Sequence, residues 1–76
     1  MFEQVKQVLV DAIHVDEASV TLEANLKDDL DIDSLAAVEL ALELESEFDV
    51  RIEDEELAKL ETVNDVVEIL NQKLNN

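Results

Sequence analysis

The stretch Asp29-Leu30-Asp31-Ile32-Asp33-Ser34-Leu35 and its continuation, Ala36-Ala37-Val38-Glu39-Leu40-Ala41-Leu42-Glu43-Leu44-Glu45-Ser46-Glu47-Phe48, decides the fold. Asp33 and Ser34 are residue types that cap helix N-termini, and the residues after them recur apolar at helical spacing. The spacing predicts a helix from Ser34 to Phe48. At about 100° per residue, Ala37, Leu40, Ala41, Leu44 and Phe48 gather on one side, the side expected to face a core. Leu35, Val38 and Leu42 gather on a second stripe, roughly 140° away by the same geometry. A surface helix requires only one apolar face. The second stripe, with Glu39, Glu45 and Ser46 beside it, therefore reads either as a wider buried face or as a docking surface.

Working outward, the same periodicity predicts a helix over about residues 2–13, with Val5, Val8, Leu9, Ala12 and Ile13 inward. A long connection from His14 to Asp33 carries Leu22, Leu26, Leu30 and Ile32, which are expected to fold back onto the core, because structureless loops of that length are uncommon. A short third helix is predicted from Asp54 to about Leu60, opened by Asp54-Glu55-Glu56, acids that suit a helix N-terminus. A fourth runs from Val63 to Leu74, with Val63, Val66, Val67, Leu70 and Leu74 as its stripe and Thr62 and Asp65 as a capping pair. No strand-like alternation of useful length competes. The expected fold is all-α, a single domain over residues 1–76: a small four-helix bundle with a short third helix and a long loop between helices 1 and 2. Phe2 and Phe48 are the only aromatics, so aliphatic side chains must fill the interior. Glycine and proline are absent, which leaves helix ends to other residues. His14 falls where the first helix should stop, and histidine tolerates the left-handed conformation of a helix end. As the only histidine, it has no partner for a metal site or a nucleophilic triad.

Charge narrows the class of partner. Asp and Glu number 21 against 5 Lys and Arg, for a formal charge of −16. Such a surface repels nucleic acid and anionic membranes and suits basic proteins or cations. The imbalance is local, since no basic residue lies between Lys27 and Arg51; an acidic run of this kind also serves simply as a solvated face. There is no cysteine, hence no disulfide framework. The apolar run Val8-Leu9-Val10, flanked by acids, is too short for a signal peptide, and no stretch approaches the roughly 20 apolar residues of a membrane span. A monomeric cytoplasmic protein is the expectation.

The Asp29–Leu35 motif itself admits three readings. The plainest is helix capping. A second is a calcium loop, in which Asp29, Asp31 and Asp33 would fill ligand positions one, three and five. That match fails where a glycine and a bidentate Glu are required, because Ser34 and Leu40 stand there. What survives is a weak divalent site at Asp29, Asp31 and Asp33, with no specific metal. The third reading is attachment of a prosthetic group. Asp33-Ser34-Leu35 at a helix start resembles the Asp-Ser-Leu signature of acyl carrier proteins. The likeness continues through Val38-Glu39-Leu40, Glu45-Ser46-Glu47-Phe48 and Ile52-Glu53-Asp54-Glu55-Glu56, and extends over essentially the whole chain.

That resemblance implies a function. Ser34 would receive 4′-phosphopantetheine from coenzyme A, with Asp33 and Leu35 flanking the attachment. The phosphodiester would sit where a helix N-terminus favours an anion. The chain would be a carrier and not an enzyme, because Ser34 has no general base and stays inert until another enzyme modifies it. Its partners would be a phosphopantetheinyl transferase and enzymes of fatty-acid synthesis, met through basic patches by Leu35, Val38, Glu39, Leu42 and Glu45. An acyl chain would lie between the helices near Leu26, Leu44, Ile52 and Leu60. The sequence departs from the family where Asp31 and His14 replace customary glycines and Glu53 a customary proline. A carrier of D-alanine or polyketide intermediates is the neighbouring alternative. An acidic helical interaction or cation-binding protein without a prosthetic group is the alternative of a different class.

Overall fold

The chain, seen in a computed structural model that describes residues 1–75, forms the expected helices in the expected order. Helix α1 spans Phe2–Val8 and continues through Leu9–Ile13 as a wider π-helical turn. A short 3₁₀ turn, Glu17–Ser19, precedes α2 (Ser34–Phe48), α3 (Asp54–Ala58) and α4 (Val63–Leu74). Among the described residues there is no strand, and one isolated antiparallel bridge joins Asn25 to Thr62.

The predicted first helix is thus continuous in extent but not in winding. His14 ends it in the left-handed region, at φ 65° and ψ 34°, and donates its N–H to the carbonyl of Leu9, five residues back. Asp31 and Asp49 also take positive φ, at 56° and 54°. These positions favour glycine, and Asp, Asn and His are the side-chain-bearing residues that occupy them most readily. Two of the family's customary glycines are therefore replaced here by residues that keep the backbone conformation.

The long connection is held by backbone bonds at both edges. The carbonyls of Leu22 and Ala24 accept the N–H groups of Asn64 and Val63, at 3.0 and 3.1 Å, and Leu26 donates to the carbonyl of Glu61 at 2.8 Å. Val20, Ala24, Leu26, Leu30 and Ile32 are buried. Leu22, expected among them, is 39% exposed. The Ala24 N–H closes a turn onto the Thr21 carbonyl, which places Leu22 at the turn's outer corner.

Capping chemistry fixes the later helices. Thr62 Oγ1 accepts the Asp65 N–H at 3.2 Å, while Asp65 Oδ2 accepts the Thr62 N–H at 3.1 Å. Asp can therefore serve in the box that usually prefers Glu or Gln. At α3 the N–H of Glu53 donates to Glu56 Oε1 at 2.9 Å, a bond that a proline at position 53 could not make. Helix α3 stops at Ala58, short of the expected Leu60, because Lys59 and Leu60 donate to carbonyls three residues back in the tighter geometry of a 3₁₀ end.

The core is aliphatic. Val5, Leu9, Leu40, Leu44, Val63, Val66 and Leu70 are almost wholly enclosed, and no polar side chain is buried among the described residues. Phe2 and Phe48 are only partly buried at its edge. Helix α1 packs on α4 and α2, the π turn on α2, and α3 on α2. Leu74, assigned from sequence to the buried stripe of α4, is 45% exposed: as the last helical residue it has no following turn to cover it.

Candidate functional site

The N-terminus of α2 is built by Asp33. Its backbone is extended, at φ −83° and ψ −174°, so the chain enters the helix from the side. Its carboxylate Oδ1 accepts the Ala36 N–H at 2.8 Å and its carbonyl accepts the Ala37 N–H at 2.9 Å. That geometry sets Ser34 as the first helical residue, exposed to solvent. No side-chain hydrogen bond of Asp33 reaches the Ser34 hydroxyl, since its capping bond is to the backbone.

Beside Ser34 opens a cleft of about 470 Å³ between α2, α3 and the end of the long connection. Its walls are apolar: Leu26 and Ile32 from the connection, Ala37, Val38 and Leu40 from α2, and Leu57, Ala58 and Leu60 from α3 and its end. Lys27, Asp33, Ser34 and Asp54 are its polar lining residues. Of the residues expected to line an acyl site, Leu26 and Leu60 border this cleft. Leu44, fully buried, and Ile52, 8% exposed, do not; they belong to the common core. Leu44 stands one helical turn past Leu40, the last α2 residue to border the cleft. Ala37 and Leu57 also line the cleft; the sequence reading does not assign them to an acyl site, although Ala37 and Leu40 share a face at i, i+3 spacing, as do Leu57 and Leu60.

The three aspartates of the motif do not assemble a cation site. Asp29 Oδ2 accepts the Asn25 N–H at 2.7 Å, Asp33 caps α2, and Asp31 holds the left-handed corner between them. Among the described residues no three His, Cys, Asp or Glu side chains are placed to hold a metal ion. Of the carboxylates read from the sequence as a weak divalent site, those of Asp29 and Asp33 are engaged with backbone N–H groups.

The outer stripe of α2 is exposed, with Leu35 at 69%, Val38 at 47% and Leu42 at 60%. It is not the flank of a wider buried face. Glu39 and Glu43 stand exposed near it. Glu45 differs. Its Oε2 accepts the Ile52 N–H at 2.8 Å, and its carbonyl accepts the N–H groups of Asp49 and Val50. One carboxylate thus ties down the turn that follows α2, and Glu45 is half-buried where a free surface acid was expected.

One further carboxylate links the helices around the cleft. Glu56 accepts from the Glu53 N–H and from Lys73 of α4, at 2.9 and 3.0 Å. The backbone hydrogen bond, followed by the Lys73 ammonium, holds its carboxyl below the ordinary value. Helix α3, one wall of the cleft, is thereby fastened to α4.

Known proteins share this chain nearly end to end. Residues 3–70 match the family described as the phosphopantetheine attachment site. The chain is 55% identical over 75 residues to the acyl carrier protein of Petrotoga mobilis, covering 99% of this chain and 88% of that one. It is 45% identical over 74 residues to the acyl carrier protein of Thermotoga maritima, covering 97% and 91%. An exposed serine opening a capped helix, an apolar cleft beside it and these likenesses together give the conclusion: the chain belongs to the phosphopantetheine-binding family of acyl carrier proteins, a carrier and not an enzyme, with 4′-phosphopantetheine as its covalent group.

Proposed function

We propose that Ser34 bears the 4′-phosphopantetheine and that the cargo is a fatty acyl chain, passed between enzymes of fatty-acid synthesis. The observation that carries this reading is the position of Ser34, solvent-exposed on the first turn of α2 and at the rim of the apolar cleft. The residues fit the group. A phosphodiester on Ser34 Oγ would lie at the positive end of a 15-residue helix, where N-terminal N–H groups favour an anion. The terminal thiol of the group supplies the thioester linkage that holds the cargo.

The cleft favours an alkyl cargo over D-alanine. Leu26, Ile32, Ala37, Leu40, Leu57 and Leu60 offer hydrocarbon walls, whose apolar area a longer alkyl chain would bury and the single methyl of D-alanine would not. Leu35, Val38 and Leu42 supply an apolar contact for partner enzymes, and Glu39 and Glu43 supply charge that steers toward basic patches. No helix among the described residues is long and apolar enough to cross a membrane.

The test is intact-mass spectrometry after incubation with coenzyme A and a phosphopantetheinyl transferase. One phosphopantetheine is expected on the unaltered chain and none on Ser34→Ala. Addition to Ser34→Ala at full yield would assign the group to another residue and reject the proposal.

A further inference from the structure

The cleft beside Ser34 holds one cation and two anions. Among the described residues, Lys27 is the only basic one lining it, against Asp33 and Asp54. Of the other four Lys and Arg residues, Lys6 pairs with Glu17, Arg51 with Glu53 and Lys73 with Glu56, at 3.4, 2.7 and 3.0 Å, while Lys59 has no such pair among the described residues and does not line the cleft. Lys27 has no such partner among the described residues and is exposed.

Its backbone is nonetheless fixed. The Lys27 N–H donates to Asn25 Oδ1 at 3.0 Å, and the preceding carbonyl, of Leu26, accepts the Ile32 N–H at 2.8 Å. That second bond folds the chain back, bringing Leu26, next to Lys27, onto Ile32, next to Asp33. A flexible ammonium on a fixed stem thus stands on the same cleft as the Ser34 hydroxyl. The aspartates work against any anion placed there, although the helix end attracts one. A phosphodiester on Ser34 would raise the lining's negative charge further, with Lys27 as the only balancing side chain.

Resting on the assignment of the group to Ser34, we propose that Lys27 is a positioning residue: its ammonium holds the phosphodiester of the arm and sets the arm along the cleft. An ammonium suits this use, because lysine binds phosphate as a point charge. An exposed pair of this kind is weak. The arm is therefore biased toward the cleft and still free to leave it for a partner's active site.

The experiment compares the phosphorus-31 NMR signal of the loaded unaltered chain, Lys27→Gln and Lys27→Arg, in low and high sodium chloride. Intact mass first counts the group on each, and melting of the unloaded forms checks that the fold is unchanged. In low salt the unaltered chain and Lys27→Arg should show a signal displaced from that of the same loaded chain unfolded in urea, whose phosphorus is the same diester. Salt should abolish the displacement, since the Debye length falls from about 30 Å at 0.01 M to about 3 Å at 1 M. In Lys27→Gln the displacement and its salt response should be lost. Loading at Ser34 with identical signals and salt responses in the unaltered chain and Lys27→Gln overturns the role of Lys27 alone. Absence of the group from Ser34 overturns both readings.

Discussion

The two apolar stripes of α2 are made from the same kinds of residue and meet opposite fates. Leu40, Ala41 and Leu44 are buried, while Leu35, Val38 and Leu42 face solvent. Scattered exposed leucines need no explanation in a folded protein. A second stripe in register along one helix is different, because the bundle is complete without it. The contrast teaches that this helix carries one apolar face that its own core requires and a second that the core does not.

Replacing one leucine from each stripe is the sharpest way to break the comparison. Leu44→Ala should destabilise the chain by about 2–5 kcal/mol, the range for deleting buried leucine methyls. For a domain of this size, 1 kcal/mol lowers Tm by roughly 4–8 °C, so the loss is easily measured by thermal melting. Leu42→Ala should stay within about 0.5 kcal/mol, as surface substitutions do. Equal losses at the two positions would dissolve the distinction between the stripes.

The carboxylates of α2 divide in the same way. Glu39 stands free, whereas Glu45 holds the part-buried Ile52 N–H. Glu45→Ala should therefore cost about 1–3 kcal/mol, the penalty for stranding a buried donor. Glu39→Ala should alter stability little. Denaturant titration of both variants separates them, and a Glu45→Ala midpoint matching that of the unaltered chain would show that the turn after α2 holds without this bond.

Periodicity and capping chemistry made much of this legible beforehand. The bounds of α2 and α4, the Thr62–Asp65 box and the left-handed His14 follow from local residue types. Depth and irregular backbone did not. Period alone says that Leu40 and Leu44 share a face, but not that Leu40 borders the cleft while Leu44 does not. Within the connection no period exists, so nothing in the sequence set Leu22 at a turn corner while Val20 and Ala24 went inside. Glu45 looked like any surface acid because its partner is a backbone N–H seven residues away, and backbone groups leave no mark in sequence.

A smaller effect on stability, with a large one on docking, is expected at the outer stripe. Leu42→Asp should leave Tm nearly unchanged, because the side chain is 60% exposed. It should weaken binding to a partner enzyme, read as a faster dissociation rate. Glu39→Lys should instead slow association and reduce its salt dependence, since charge at an interface rim acts mainly on encounter. An unfolded Leu42→Asp would return the stripe to the core.

The smallest effect belongs to Glu56, where the contrast between free and engaged carboxylates becomes a dependence on pH. The Glu53 N–H and Lys73 favour its charged form, so its carboxyl titrates below the ordinary value of 4.5 in the folded chain. Its contribution to stability is therefore complete above that ordinary value and is lost as pH falls through the lower, folded one. A chain of formal charge −16 also repels itself, whichever residue stands at position 56. Comparing Glu56→Gln with the unaltered chain cancels that shared background. Glutamine still offers an oxygen to the Glu53 N–H but loses the attraction of Lys73. The Tm difference between the two should thus be present at neutral pH and vanish in acid, once Glu56 is protonated in both states. A difference that stays constant across that range would mean that the α3–α4 link does not depend on the charge of Glu56.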